Sequence, residues 1–268
     1  MKIIIFADVH YFAGDLETAI FNKKNKLVRY AIPLLDILSE KARDEHGADM
    51  CVNLGDIIQD TQDHDKDLEA LRFMFGKLEN MGVPCYSILG NHDLKMMSST
   101  SEVEAVMGYE RSTYSFDRDG YHLVFLTTEV RPELGLARGG CYKTQYLSNR
   151  DIAWLSEDLK NNELPCIIFT HFPLAEDESR DDECMFMKNR AEVKNIIKND
   201  KNLLAVFSGH QHTTKTIVED GVSYYLLGSL IGSNEMNGIP DGVYFEVDLI
   251  DGTIEVKEHH LETPEITF

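Results

Sequence analysis

Cysteine is scarce and badly placed for cross-linking. Cys51, Cys85, Cys141, Cys166 and Cys184 are odd in number, widely spaced and include no C-x-x-C pair. This argues against a disulfide scaffold and a cysteine-based zinc site, and a reducing, cytoplasmic setting is expected. Long apolar runs are missing too. No stretch approaches the roughly 20 apolar residues of a membrane span. The opening run MKIIIFADVH is cut short by Asp8 and His10, which reads as a strand and not as a secretory leader. Positive charge is in deficit: 26 Lys and Arg stand against 46 Asp and Glu, a net −20. A surface of that sign repels polyanions, so neither nucleic acid nor membrane is expected as a partner. Repeats, low-complexity tracts and linkers are absent. With 43% hydrophobic residues for a core, residues 1–268 read as a single domain.

What is present is an alternation of short apolar runs and amphipathic stretches. Lys2 to Ala7, Met50 to Leu54 and Pro84 to Leu89 read as strands buried on both faces. Between them, Leu27 to Arg43 and Asp65 to Met81 carry apolar residues at helical spacing. Strand, helix, strand, helix, strand favours a layered α/β sheet. The middle of the chain reads as a hairpin, Thr113 to Asp117 and Tyr121 to Thr127, turning at Gly120. Ser148 opens a helix with Asp151 in its first turn. Cys166 to Thr170 is expected as a strand, Ala191 to Lys198 as a helix and Leu203 to Ser208 as a strand. The end is strand-rich: Thr213 to Val218, Val222 to Leu227, Val243 to Leu249 and Thr253 to Lys257. The acidic stretch Glu176 to Glu183 reads as solvated surface, with a place flanking the site mouth as the alternative, because it follows His171 directly.

The chemistry collects just beyond strand ends. Asp8 and His10 follow the first strand, Asp56 the second, and Asn91 and His92 the third. His171 follows Thr170, and His210 and His212 follow Ser208. Ligands of layered α/β folds bind outside the carboxyl ends of strands. Imidazole, carboxylate and one amide together suit Mn, Fe or Zn. Two such cations about 3.5–4 Å apart stabilise both the attacking and leaving oxygens of an in-line displacement and lower the pKa of water. Gly55, Gly90 and Gly209 each precede one of these residues, which suggests sharp turns off the strands.

The ordered set Asp8-x-His10, Gly55-Asp56, Gly90-Asn91-His92-Asp93, His171 and Gly209-His210-x-His212 resembles the calcineurin-like metallophosphoesterase superfamily. The resemblance implies an α/β layered fold, a β-sandwich of two mixed sheets flanked by helices, with a dinuclear metal site at one edge. It implies that Asp8, His10 and His212 hold one metal, that Asn91, His171 and His210 hold the other, and that Asp56 bridges them. His92 would stand near the leaving oxygen as general acid or charge stabiliser, and Asp93 would orient it. A metal-bridging hydroxide would attack phosphorus in line.

The chain departs from several branches of that superfamily. Asp60 comes one position later than the second Asp many members carry after the bridging one, so it reads as a residue behind the ligands. Thr61-Gln62 and Asp93 do not match the protein Ser/Thr phosphatases, and no Tyr stands near Gln59 as in purple acid phosphatases. The pattern is nearest the cyclic-nucleotide phosphodiesterase and small-phosphoester hydrolase branches. The expected function is therefore metal-dependent hydrolysis of small phosphomonoesters or phosphodiesters, with nucleotide-type substrates. The alternatives are a non-catalytic metal-binding scaffold on the same fold, or a nuclease. His46, His64, His122, His259 and His260 fall outside the motifs and read as surface or incidental residues. Arg111, Arg131 and Arg138 are expected to pair with carboxylates.

Overall fold

Alternation inside β1 (Lys2–Phe6) sets the layers. Ile4 and Phe6 pack with Leu34, Leu38, Leu71 and Phe75, side chains of the helices Ala31–Glu40 and His64–Glu79. Ile3 and Ile5 point the other way, into a cluster with Leu123, Phe125, Phe169 and Phe207. Successive strand residues face opposite sides, so a strand apolar throughout is one covered on both faces. The computed structural model describes residues 1–16, 26–134, 141–176, 179 and 182–266, with backbone only at 141 and 142.

Among the described residues the later strands are β2 (Met50–Asn53), β3 (Cys85–Ser87), β4 (Tyr114–Arg118), β5 (Tyr121–Leu126), β6 (Cys166–Thr170), β7 (Leu203–Ser208), β8 (Lys215–Glu219), β9 (Val222–Leu226), β10 (Val243–Ile250) and β11 (Thr253–His260). They form two mixed sheets, ordered β11-β10-β1-β2-β3 and β4-β5-β6-β7-β9-β8. β1, β2 and β3 run parallel, and β10 returns antiparallel beside β1. In the second sheet β5, β6, β7 and β9 are parallel, with the antiparallel strands β4 and β8 at its edges. The sheets meet through a ladder of rings: Phe125 and Phe169 lie 4.9 Å apart and Phe169 and Phe207 5.8 Å apart, all near-parallel. The outer face of the second sheet, with Val124, Ile168 and Val206, is covered by Leu155 and Leu159 of helix Asn149–Lys160 and Val193 and Ile197 of helix Arg190–Ile197. The layered sandwich of two mixed sheets flanked by helices is the expected fold.

Helix starts follow capping chemistry. Ser148 Oγ accepts from Asp151 N at 3.0 Å, as the sequence suggests. The helix Thr100–Met107 falls in a stretch left without structure by apolar spacing, because Val103 and Met107 are its only buried residues. Its signal is the capping box Ser99-x-x-Glu102, in which Glu102 Oε1 accepts from Ser99 N at 3.1 Å. His122 is a correction. It is 3% exposed, because β5 runs inside the sheet and turns the ring inward against Asp117 and Asp158. Among the described residues no helix is long and apolar enough to cross a membrane.

Candidate metal centre

The loops leaving β1 and β2 run side by side. Asp8 N donates to Gly55 O and His10 N to Asp56 O, each at 3.0 Å. Asp8, His10 and Asp56 are thereby carried to one end of the first sheet. Asn91 and His92 open the short helix after β3, while His171 follows β6 and His210 and His212 follow β7. Asp8, His10, Asp56, Asn91 and His171 are buried, and His210 and His212 half-buried. Backbone at Asp8, His10, Asp56, His210 and His212 has positive φ, between 48° and 70°. This left-handed conformation costs an L-residue roughly 1–2 kcal/mol, and such strain clusters at functional sites.

Two of the three groups of donor atoms that result match the expected ligand sets, and the third joins His10, Asp56 and His92. In the first, His10 Nε2 lies 3.0 Å from His212 Nε2, and Asp8 Oδ1 lies 3.2 Å from His212 Nε2 and 3.6 Å from His10 Nε2. In the second, His171 Nε2 lies 3.2 Å from His210 Nδ1, 3.2 Å from Asn91 Oδ1 and 3.5 Å from Asp56 Oδ2. Asp56 Oδ2 also faces His10 Nε2 at 3.9 Å, so one carboxylate stands between both groups. All seven side chains expected as ligands come together here.

The surroundings orient these donors. His171 Nδ1 donates to Leu54 O at 2.8 Å, and His210 Nε2 to Cys184 O at 2.9 Å. Each carbonyl takes one ring proton and leaves the other nitrogen turned toward Asp56. Burial alone lowers the His171 pKa, but Asp56 and Asp8 outweigh it and hold the ring up at about 9. His210 is pushed down to about 3 by burial and by charge on His171. Asp56 stays well below the usual carboxylate range despite its burial, because His171 and His92 face it. In the first group, Asp8 Oδ1 is buried with no hydrogen-bond partner, a costly arrangement for a carboxylate oxygen. That orphaned oxygen, aimed at two imidazoles, and the mixed N/O donor set fit divalent cations.

The glycines divide by cause. Gly55 has φ 93°, and a Cβ there would stand 2.6 Å from Gly90 N. Gly90 needs no special φ; a side chain there would overlap Asp56 Oδ1 and its backbone nitrogen. The turn argument therefore holds for Gly55, and close approach explains Gly90.

The surroundings of His92 differ from the expectation. Asp93 does not touch its ring. Asp93 Oδ2 accepts from Asp56 N and Gly90 N, and Oδ1 from Ile58 N, so it ties the β2 and β3 loops together. Burial and the Asp56 charge raise its pKa to about 7. The carboxylate on the ring is Asp60: Oδ2 lies 2.6 Å from His92 Nδ1, and Oδ1 lies 2.9 Å from Lys95 Nζ. Against its burial, His92 and Lys95 hold Asp60 down at about 2. Sequence reasoning placed Asp60 behind the ligands without a partner, and it missed Lys26, Gln59 and the Cys184 carbonyl altogether. Of the two readings of the acidic stretch, the one beside the site mouth is favoured by the turn Glu183–Met185 at its end, which carries Cys184 against His210.

Arg111 pairs with Asp151 and stacks on Trp154, and Arg131 pairs with Glu129 and Glu133. Both line a cavity of about 680 Å³ whose walls hold none of the expected ligands. Arg138 lies outside the described residues.

A family model described as calcineurin-like phosphoesterase matches residues 1–214. Among related sequences, a probable cyclic nucleotide phosphodiesterase of Fibrobacter succinogenes is 27% identical over 228 residues, covering 84% of this chain and 78% of that protein. Another protein so named, from a Psychrobacter species, is 25% identical over 205 residues, which are 72% of this chain and 54% of its own length. A dimetal phosphatase from Danio rerio superposes with a TM-score of 0.72 at 17% identity, covering 96% of this chain and 95% of that one. Likeness at that level of identity speaks for the fold.

Proposed function

Because the chain belongs to the calcineurin-like phosphoesterase family, and is thus a dinuclear metal-dependent phosphohydrolase, we propose that it cleaves small nucleotide-type phosphoesters at the cleft between the carboxyl ends of its two sheets. One observation carries this reading: the Asp56 carboxylate faces His10 of one donor group and His171 of the other. Asp8, His10 and His212 would hold one cation, Asn91, His171 and His210 the other, with Asp56 common to both. When bound, such a pair neutralises phosphoryl charge and makes water a nucleophile near neutral pH. The donor set suits Mn, Fe or Zn.

The remaining residues manage the leaving group. Asp60 on Nδ1 fixes the tautomer and ring plane of His92, which turns Nε2 toward the same space as Asp56 Oδ2, 4.0 Å away. From there a protonated His92 would give its proton to the departing oxygen. Asp93 would keep the two loops, and therefore His92 and Asp56, in register. The names of the two relatives favour a phosphodiester of nucleotide type, and the net charge of −20 disfavours a long polyanion.

The test is Mn²⁺-dependent hydrolysis of a chromogenic phosphodiester beside the matching monoester, after chelation and buffer exchange. Turnover restored by Mn²⁺ is expected, with the diester faster. Metal uptake without turnover of either ester, or of cyclic nucleotides, would favour the scaffold.

A further inference from the structure

Lys26 belongs to no metal-binding motif, yet its amine lies against the ring of His92. The segment that carries it is anchored by a bridge to Gly232 and by Leu27 N donating to Ile231 O at 3.0 Å. Lys26 Nζ lies 3.0 Å from His92 Nε2 and 3.2 Å from Gln59 Oε1. Asp60 occupies the other ring nitrogen of His92, so Nε2 accepts from the lysine. Lys95 is paired with Asp60. The hydrogen-bond partners of Lys26 are instead an amide and an imidazole, with the carboxylates of Asp56, Asp8 and Asp60 near enough to act on its charge. A flexible ammonium in a chain with 46 carboxylates has many salt-bridge partners at the surface. Here it is directed at the one ring expected to meet the leaving group.

We propose that Lys26 contacts substrate, its ammonium clamping an oxygen of the phosphoryl group being cut beside His92. Gln59 Oε1 and His92 Nε2 each accept one of the three ammonium protons and leave the third for that oxygen. Lysine serves phosphate as a compact point charge. No bond to the lysine forms or breaks. The clamp makes the cleft select for an anionic phosphoryl group. This inference rests on the phosphoesterase reading.

The test uses Lys26→Ala, Lys26→Gln and Lys26→Arg in the Mn²⁺-loaded protein, with inorganic phosphate as the probe. Phosphate affinity is measured by calorimetry, metal content by elemental analysis and Tm by melting. Loss of a charge-assisted hydrogen bond predicts at least about a tenfold rise in phosphate Kd for Ala and Gln. Arg should recover part of the affinity, and all three should keep wild-type Mn²⁺ content. Unchanged phosphate affinity at full metal content would overturn the clamp. So would loss of Mn²⁺ in the Gln variant, which would make Lys26 a support for the ligands. A wild-type protein that takes up no Mn²⁺ would overturn the phosphoesterase reading, and the clamp with it.

Discussion

Asp60, and not its neighbour in the motif Asp93, is the carboxylate bound to the ring of His92, at 2.6 Å from Nδ1. Asp60→Asn should leave two Mn²⁺ per chain in place while kcat falls roughly 10- to 100-fold, the usual cost of losing a partner behind a working imidazole. His92→Ala should likewise keep metal and lose turnover. Metal analysis beside steady-state kinetics decides it: metal loss in either variant equal to that in Asp56→Asn would put His92 among the ligands.

Gly90 tests the crowding around Asp56. A methyl group there overlaps the Asp56 carboxylate and backbone nitrogen, so Gly90→Ala must displace the shared ligand. Mn²⁺ affinity should drop at least about tenfold, an effect of 1.4 kcal/mol, with activity falling in step. Wild-type metal titration curves for this variant would refute the assigned position of Asp56.

His122 gives a pH signature remote from the cleft. Burial alone lowers its pKa, but Asp158 and Asp117, 2.9 and 2.7 Å away, raise it overall. A histidine raised in the folded state binds its proton more tightly there than in the unfolded chain, whose value is about 6.5. Its contribution is therefore complete below about pH 6.5 and fades as pH climbs through the raised value. His122→Gln should cost on the order of 1–3 kcal/mol at pH 6. Urea melts of both proteins from pH 5.5 to 9 should show the gap shrinking at alkaline pH; a gap that widens would contradict the charged pairing.

Phe169 sits in the middle of the ring ladder between the sheets. Phe169→Ala should cost about 3–5 kcal/mol by opening a cavity there, read as a lower urea midpoint. A loss below about 1 kcal/mol would mean that the inter-sheet core tolerates voids.

Legibility in the sequence followed the strength of the local pattern. β6 and β7 are continuous apolar runs, and the structure reproduces their sequence-based limits, Cys166–Thr170 and Leu203–Ser208. The seven expected ligands announced themselves because each abuts such a run. Asp60 was visible but unassigned, since its partner depends on how the loop after β2 folds back over the helix after β3. Lys26 gave no signal. It ends the run Lys23-Lys24-Asn25-Lys26, and residue type alone does not say which lysine turns inward. The Cys184 carbonyl was invisible for a different reason, because every residue carries that group and only tertiary placement gives it a task. His122 misled because the helix residue that covers it, Asp158, is distant in sequence, so the hairpin alone does not show which face is buried.

The donors drawn from β1, β2 and β3 and those drawn from β6 and β7 stand on different sheets, so a cation held between them would act as a clasp across the sandwich. Cation supply then becomes part of the folding equilibrium. At free Mn²⁺ one hundred times its dissociation constant, one site adds about 2.7 kcal/mol to the native state. Melting temperature should climb with Mn²⁺ and drop on chelation, a dependence that calorimetry can follow without any substrate. Under metal starvation the chain would be lost to proteolysis as well as silenced, and its abundance would report the metal status of its surroundings.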